Sequence, residues 1–181
     1  MSVSASDQEL VALVIATKDR NAFGELVRRH QGLVRSMLTR MCGNAALGDD
    51  LAQDAFIRAF TKIGSFTGKG TFKSWLCSIA YREFLMARRK RDAADKALDR
   101  LMREQTEDSA PPRDAGSIVD LDRALKTLNE EERSAVVLCY ACGFSHAEAA
   151  ETLNAPLGTV KSWVNRGRDK LKERLGQDVP A

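Results

Sequence analysis

Three groups of residues in this chain have types and spacings suited to chemistry. The first lies in PLGTVKSWVNRGRDKLKERL, residues 156–175. At 100° per residue Lys161, Ser162, Asn165, Arg166 and Asp169 fall on one side of a helix, with Val160, Val164, Gly167, Leu171 and Leu175 on the other. Guanidinium, ammonium, amide and hydroxyl groups on one helical face can read base edges and phosphates. The second is the loop SFTGKG, Ser65 to Gly70. Its glycines allow close backbone approach, Phe66 offers a stacking face and Lys69 attracts phosphate. The third is Cys139-Tyr-Ala-Cys142 with His146 beyond it, side chains that suit zinc or a dithiol redox step.

Spacing weighs against two of the chemistries that these groups suggest. Gly68-Lys69-Gly70-Thr71 lacks the GxxxxGK[ST] pattern of a phosphate-binding loop, and no strand precedes it. Cys139 and Cys142 lie within the apolar pattern of a helix, without the βα context of a dithiol site and without an evident fourth zinc ligand. They read as packed, free thiols. The chain holds only two histidines, His30 and His146, and His30 reads as a surface or packing residue. Ser, His and Asp candidates are scattered and no carboxylate pair falls in an expected pocket. The expectation is therefore no enzyme, no catalytic residue, no metal and no cofactor.

The totals agree with a DNA-facing helical protein. With 181 residues and 44% hydrophobic content the chain can bury a core in one domain or two small ones, and 6% aromatics favour helix over sheet. The net charge of +3 is small, but its distribution is uneven: Arg88-Arg89-Lys90-Arg91 and the last helix are basic, the middle acidic. Four cysteines in a chain of this size form no disulfide framework. MSVSASDQEL has no cationic start followed by an apolar run, so no secretion signal is expected. No apolar stretch reaches the ~18–20 residues that span a bilayer. The reading is a soluble, cytoplasmic protein without membrane insertion.

Helices must position these groups. Ser6 with Glu9 forms a capping box, so a helix starts near residue 7. After a polar break from Thr17 to Asn21 come one apolar pattern, Phe23, Leu26 and Val27, and another, Val34, Met37, Leu38 and Met41, with Gly43 as a stop. The spacing Leu47, Leu51, Ala55, Ala59, Ile63 predicts a helix that Gly64 ends. A long helix with Phe72, Trp75, Leu76 and Ile79 facing inward follows the loop, and residues 92–103 remain compatible with it. Residues 104–116, EQTEDSAPPRDAG, are too polar to offset their ordering entropy and read as a linker. Ser117, Asn129 with Glu132, and Ser145 with Glu148 then cap three helices ahead of the 156–175 stretch, and Gly143 stops the second. Two short helices joined by Asn-Ala-Pro-Leu-Gly, the second with a cationic polar face, have the form of a helix-turn-helix. No segment alternates with period two for long, so the fold class is all-α, in two small helical domains.

In this order the runs AFGELVRRH (22–30), DDLAQDAFIRAF (49–60), GTFKSWLCSIA (70–80), FSHAEAAETL (144–153) and GTVKSWVNRGRDKL (158–171) resemble the extracytoplasmic-function, or group 4, sigma factors of bacterial RNA polymerase. The resemblance implies sigma domain 2 in residues 1–103, a flexible acidic linker at 104–116 and sigma domain 4 in 117–181. It implies docking on the polymerase β′ clamp through Asp49, Asp50, Gln53, Asp54, Phe56 and Arg58, with the β flap as a second polymerase contact. It implies −10 recognition and melting through Phe66, Thr67, Lys69, Arg82, Arg88 and Arg89. Capture of a flipped base in the 65–71 loop would help to offset the few kcal/mol lost per unstacked step. It implies −35 reading by Thr159, Lys161, Ser162, Asn165, Arg166, Arg168 and Lys172, with Arg166 best placed for a base edge and Arg168 and Lys172 for phosphates. Thr159, at the helix start, is expected to cap its helix or meet a phosphate. Partners implied are core RNA polymerase, promoter DNA and an anti-sigma factor.

The chain departs from the family pattern at Arg82 and Met86, where Asn and Asp are usual, and at Trp163 and Asn165 in the recognition helix. Its −10 preference is therefore expected to be atypical, and the exact −35 sequence is not transferable. Two other classes stay open: a sigma-like decoy that titrates an anti-sigma factor, and a stand-alone helix-turn-helix regulator. The first typically has a degenerate recognition helix and an attached receiver domain; the second needs a ligand-binding or dimerisation domain.

Overall fold

The computed structural model describes residues 5–102 and 119–177, so the expected linker at 104–116 and the cap at Ser117 lie outside the described residues. Among those residues every regular element is helical. Helix α1 (Asp7–Thr17) begins at the capping box: the Glu9 amide donates to Ser6 Oγ at 3.3 Å, and the Ser6 amide donates to Glu9 Oε2 at 2.7 Å. Asp19 caps α2 (Arg20–Cys42), which ends at Gly43 in the left-handed region, φ 65°. The two apolar patterns expected on either side of residue 30 are thus one helix. Nothing between Val27 and Val34 breaks it, and Arg28 and Arg29 both bind Glu25 one turn back, holding its carboxyl at about 2.

Asn44 caps α3 (Ala45–Lys62), and the chain continues into a 3-10 turn (Ile63–Ser65) that contains Gly64, so Gly64 does not end the helical run. Helix α3 crosses α2 at Gly48, where a Cβ would lie 2.5 Å from Thr39 Oγ1 and 2.7 Å from the Thr39 amide nitrogen. Only hydrogen fits between these backbones. Helix α4 (Phe72–Met102) has 31 residues, about 46 Å at 1.5 Å per residue. Val14, Leu26, Val34, Met37, Leu38, Ile63 and Leu76 are fully enclosed by these helices. Burying each such side chain contributes about 1.5–3 kcal/mol.

The second half comprises α5 (Val119–Lys126), α6 (Glu130–Val136) capped by Asn129, a π-helical turn (Val137–Ala141), α7 (His146–Leu153) and α8 (Leu157–Gln177). Ser145 and Glu148 form the second capping box, which holds the Glu148 carboxyl below its usual range, and Gly143 turns the chain at φ 69°. Gly167 lets α8 lie against α6, its absent Cβ only 2.6 Å from Val136 Cγ2.

The halves pack on each other around one continuous apolar core that contains Met41 and Cys77 from one and Leu138, Cys142 and Phe144 from the other. Lys73 Nζ donates to the Cys142 carbonyl at 3.0 Å, Ser74 Oγ to Glu148 Oε1 at 3.1 Å, and Arg133 Nη1 to the Met41 carbonyl at 3.2 Å. Arg88 pairs with Glu130 across the same boundary.

Candidate functional site

The polar row of α8 stands clear of the core. Val160, Val164 and Gly167 are buried, while Lys161, Ser162, Asn165, Arg166, Arg168 and Lys172 are exposed. Helix α8 starts at Leu157, so Thr159 is its third residue and does not cap it. The Val160 amide donates to the Pro156 carbonyl at 3.1 Å, so the Thr159 amide belongs to the open first turn. Ser162 Oγ donates back to the Gly158 carbonyl at 3.1 Å. Arg168 pairs with its neighbour Asp169 at 3.2 Å.

Arg166 has a partner that the sequence does not reveal. Glu132 on α6 is 2% exposed, and it accepts from Lys170 Nζ at 2.7 Å and from Arg166 Nε at 3.3 Å. Burial works to raise its carboxyl, but the two cations outweigh it and hold the group below its usual range. Lys170 makes the shorter bond. With Lys170 in place, Arg166 can turn outward without stranding a buried charge.

The loop before α4 differs from the reading in one respect. Phe66 is 9% exposed and packs against Phe72, centroids 6.2 Å apart, and Trp75, 5.6 Å. It is a core residue and not an exposed stacking face, because its apolar neighbours arrive from the first turns of the next helix. Gly68 and Gly70, at φ 75° and 79°, carry the exposed tip with Thr67 and Lys69 over this anchor. The Thr71 hydroxyl caps α4 by accepting from the Ser74 amide at 3.1 Å. Arg82 and Arg89 are exposed on α4. Arg88 is half-buried, paired with Glu130 and 3.7 Å from Asp92, so in this arrangement it joins the two halves and is not open to a phosphate.

On α3, Asp50, Gln53 and Asp54 are exposed together. Three other residues expected on this face have structural roles. Asp49 is gripped by Arg35 at 2.6 and 2.7 Å, fixing α3 to α2 and lowering its carboxyl. Phe56 is buried and shows only an edge to a groove of about 490 Å³ between α2 and α3. Arg58 reaches inward to Glu83, a buried carboxylate on α4. The sequence reading missed Ile57, 66% exposed at the centre of the acidic face. The signal was present: at 100° per residue Ile57 falls between Asp50 and Gln53, opposite the Leu51 and Ala55 stripe.

Beyond these faces, a cleft of about 780 Å³ opens between α5, the π turn and α8, lined by Leu121, Val137, Tyr140 and Leu171 and rimmed by Arg168 and Lys172. All four cysteines are free thiols, Cys77 and Cys142 buried. His30 Nε2 lies 2.6 Å from Asp7 Oδ2, which ties α1 to α2. Among the described residues no group of three His, Cys, Asp or Glu could hold a metal ion, and no helix is long and apolar enough to cross a membrane.

Comparison with known proteins accounts for both halves. Residues 26–94 match Sigma-70 region 2, and residues 118–171 match Sigma-70, region 4. The ECF RNA polymerase sigma factor SigE of Mycolicibacterium smegmatis is 36% identical over 97% of this chain and 71% of its own length. SigW of Bacillus subtilis, another ECF RNA polymerase sigma factor, is 31% identical over 87% of this chain and 90% of its own. Among solved structures, the sigma factor RpoE in complex with the anti-sigma factor NepR from Bartonella quintana aligns with a TM-score of 0.73 at 28% identity, covering 87% of this chain and 98% of that one. CnrH in complex with the cytosolic domain of CnrY aligns at 0.70 with 26% identity, covering 96% and 99%.

Proposed function

The chain belongs to the ECF RNA polymerase sigma factors, and from that premise we propose how its surfaces divide the work of initiation. It is an alternative sigma factor: it joins core RNA polymerase and directs transcription at promoters. Domain 2, residues 1–103, docks on the β′ clamp; domain 4, residues 117–181, reaches the β flap and the −35 element; residues 104–116 link them. The observation that carries this division is that each half turns one chemically distinct face outward. Helix α3 presents Asp50, Gln53, Asp54 and Ile57, an aliphatic anchor inside an acidic rim, the composition of a protein-binding hot spot. Helix α8 presents Lys161, Ser162, Asn165 and Arg166, a set that suits bases and phosphates.

At −35, Arg166 leaves Glu132 to Lys170 and takes a base edge, with Asn165 beside it. Lys161, Arg168 and Lys172 meet phosphates, as do the Thr159 hydroxyl and amide. At −10, Thr67, Lys69 and the glycine backbone of the loop hold the captured base while Arg82 and Arg89 follow the strand. Phe66 supports the loop from beneath. The polymerase core supplies the catalysis and its metal ions, and the cytoplasm is where it works. RpoE and CnrH were each solved with a protein bound, and this chain aligns with both over nearly its whole length, both halves included. An anti-sigma factor is accordingly proposed to hold this chain too, covering the apolar cleft beside α8 with a segment whose acidic groups meet Arg168 and Lys172.

Pull-down on core polymerase tests the docking face. Joint replacement of Asp50 and Gln53 by Ala, with Ile57→Ala added, should weaken core binding by about tenfold or more, as loss of a hot spot does. Full retention would move the docking surface off α3.

A further inference from the structure

The buried carboxylate of α6 is shared by two cations of α8, and the sequence gave only one of them a part in reading DNA. Glu132 is 2% exposed. It stands in the first turn of α6, where its amide donates to Asn129 Oδ1 at 2.8 Å, so the cap fixes the backbone from which the carboxylate extends. Gly167 brings α8 down onto this turn: an ideal Cβ there would lie 3.4 Å from the Glu132 carbonyl oxygen and 3.6 Å from the Glu132 Cβ. Arg166 and Lys170 lie on either side of this crossing, one helical turn apart, and reach the same carboxylate. Lys170 Nζ donates to Oε2 at 2.7 Å, the length of a good charge-assisted bond. Arg166 Nε donates to Oε1 at 3.3 Å, just beyond the usual range. The two holds are unequal.

Position on the helix decides which cation can leave. Four residues at 100° each carry Lys170 about 40° round from Arg166, towards the buried Gly167 and away from the exposed Ser162 and Asn165. Arg166 borders the row proposed to face DNA, whereas Lys170 lies nearer the scaffold. A carboxylate this deeply buried is strongly destabilising once it has no cation. With a single cation, that cation must stay. With two, the outer one is free to go.

We propose that Lys170 is a positioning residue that sets −35 specificity without touching DNA: by holding Glu132 it decides whether Arg166 is free to read. Its effect at promoters rests on Arg166 reading the −35 element; the sharing of Glu132 does not. Without Lys170 the buried carboxylate has Arg166 alone, a planar fork that can grip both oxygens at once. The reading side chain is then locked to its own scaffold. Every residue of the polar row is still present, yet one base pair of the promoter goes unread.

Two measurements on the full chain test this. In the free protein, nuclear magnetic resonance follows how fast the Arg166 Nε proton exchanges with water. Lys170→Met should slow that exchange, because Glu132 then holds Arg166 alone, and Glu132→Gln should quicken it. An Arg166 proton indifferent to both variants would overturn the proposal. The second measurement is transcription with core polymerase on templates varied at each −35 base pair. Arg166→Ala should relax one base pair, and Lys170→Met should relax the same one by about tenfold or more, although Arg166 is intact. Adding Glu132→Gln to Lys170→Met should restore that preference, since the buried group is then neutral and needs neither cation. A preference intact in Lys170→Met would overturn the positioning role. So would a double variant that stays relaxed, which would make Lys170 itself a DNA contact. If Arg166→Ala relaxes no base pair while the exchange rates move as expected, the −35 reading falls and the sharing of Glu132 stands.

Discussion

The two halves use the same pair of devices and differ in where one of them gets its charge. Each has a glycine at a helix crossing, Gly48 against Thr39 and Gly167 against Val136, and each buries one carboxylate, Glu83 and Glu132. In the first half the neutralising cation is Arg58, which lies outside the docking set proposed here, Asp50, Gln53, Asp54 and Ile57. In the second half the cations are Arg166 and Lys170, on the helix proposed to face DNA. On the proposed division of roles, the first half thus separates scaffold from surface, whereas the second couples them. Two cations on one carboxylate make that coupling tolerable, because one can leave.

The sharpest way to break the comparison is at the glycines. Gly48→Ala places a methyl against backbone atoms of Thr39 that cannot yield, so α2 and α3 must part, at a cost of about 3 kcal/mol. Gly167→Ala meets a Val136 methyl that can shift and gains helix propensity, so about 1 kcal/mol is expected. Urea midpoints that rank the two the other way would refute this view of the crossings. Next, Arg58→Ala strands Glu83 as an unpaired buried carboxylate, worth about 3 kcal/mol, whereas Arg166→Ala leaves Lys170 on Glu132 and should cost about 1 kcal/mol. Equal losses would mean that the second cation does not share the load.

Acid gives the smallest effect. Because the folded Glu132 carboxyl lies below its usual 4.5, the stability it contributes is complete above that pH and is lost as the pH falls through the lowered value. Glu132→Gln should flatten the decline of thermal stability below about pH 4.5. An unchanged pH profile would show that the carboxylate is not charged in the fold.

The parts of the fold legible in the sequence were those decided within one turn. The Ser6–Glu9 and Ser145–Glu148 boxes, the Asn129 cap and the stops at Gly43 and Gly143 all rest on neighbours three to five residues away. The packing and ion pairs that the sequence did not foretell depended on partners from other elements. Phe66 looked stranded in a polar loop until Phe72 and Trp75 closed over it. Arg58 and Arg88 looked like free surface charges, yet Glu83 and Glu130 claim them from other helices. Ile57 needed only the helical wheel, which sets it between Asp50 and Gln53 on the exposed side of α3, away from the buried Leu51.

The central claim is that this chain confers promoter specificity on a polymerase that lacks it, reading −35 with the α8 face. Transcription by core RNA polymerase on a promoter library, with and without the chain and with Arg166→Ala, tests this most directly. The account predicts initiation on a subset of templates only when the chain is present, with Arg166→Ala relaxing one −35 position by about 1–3 kcal/mol of discrimination. No added initiation on any template, or an unchanged −35 preference in the variant, would contradict it.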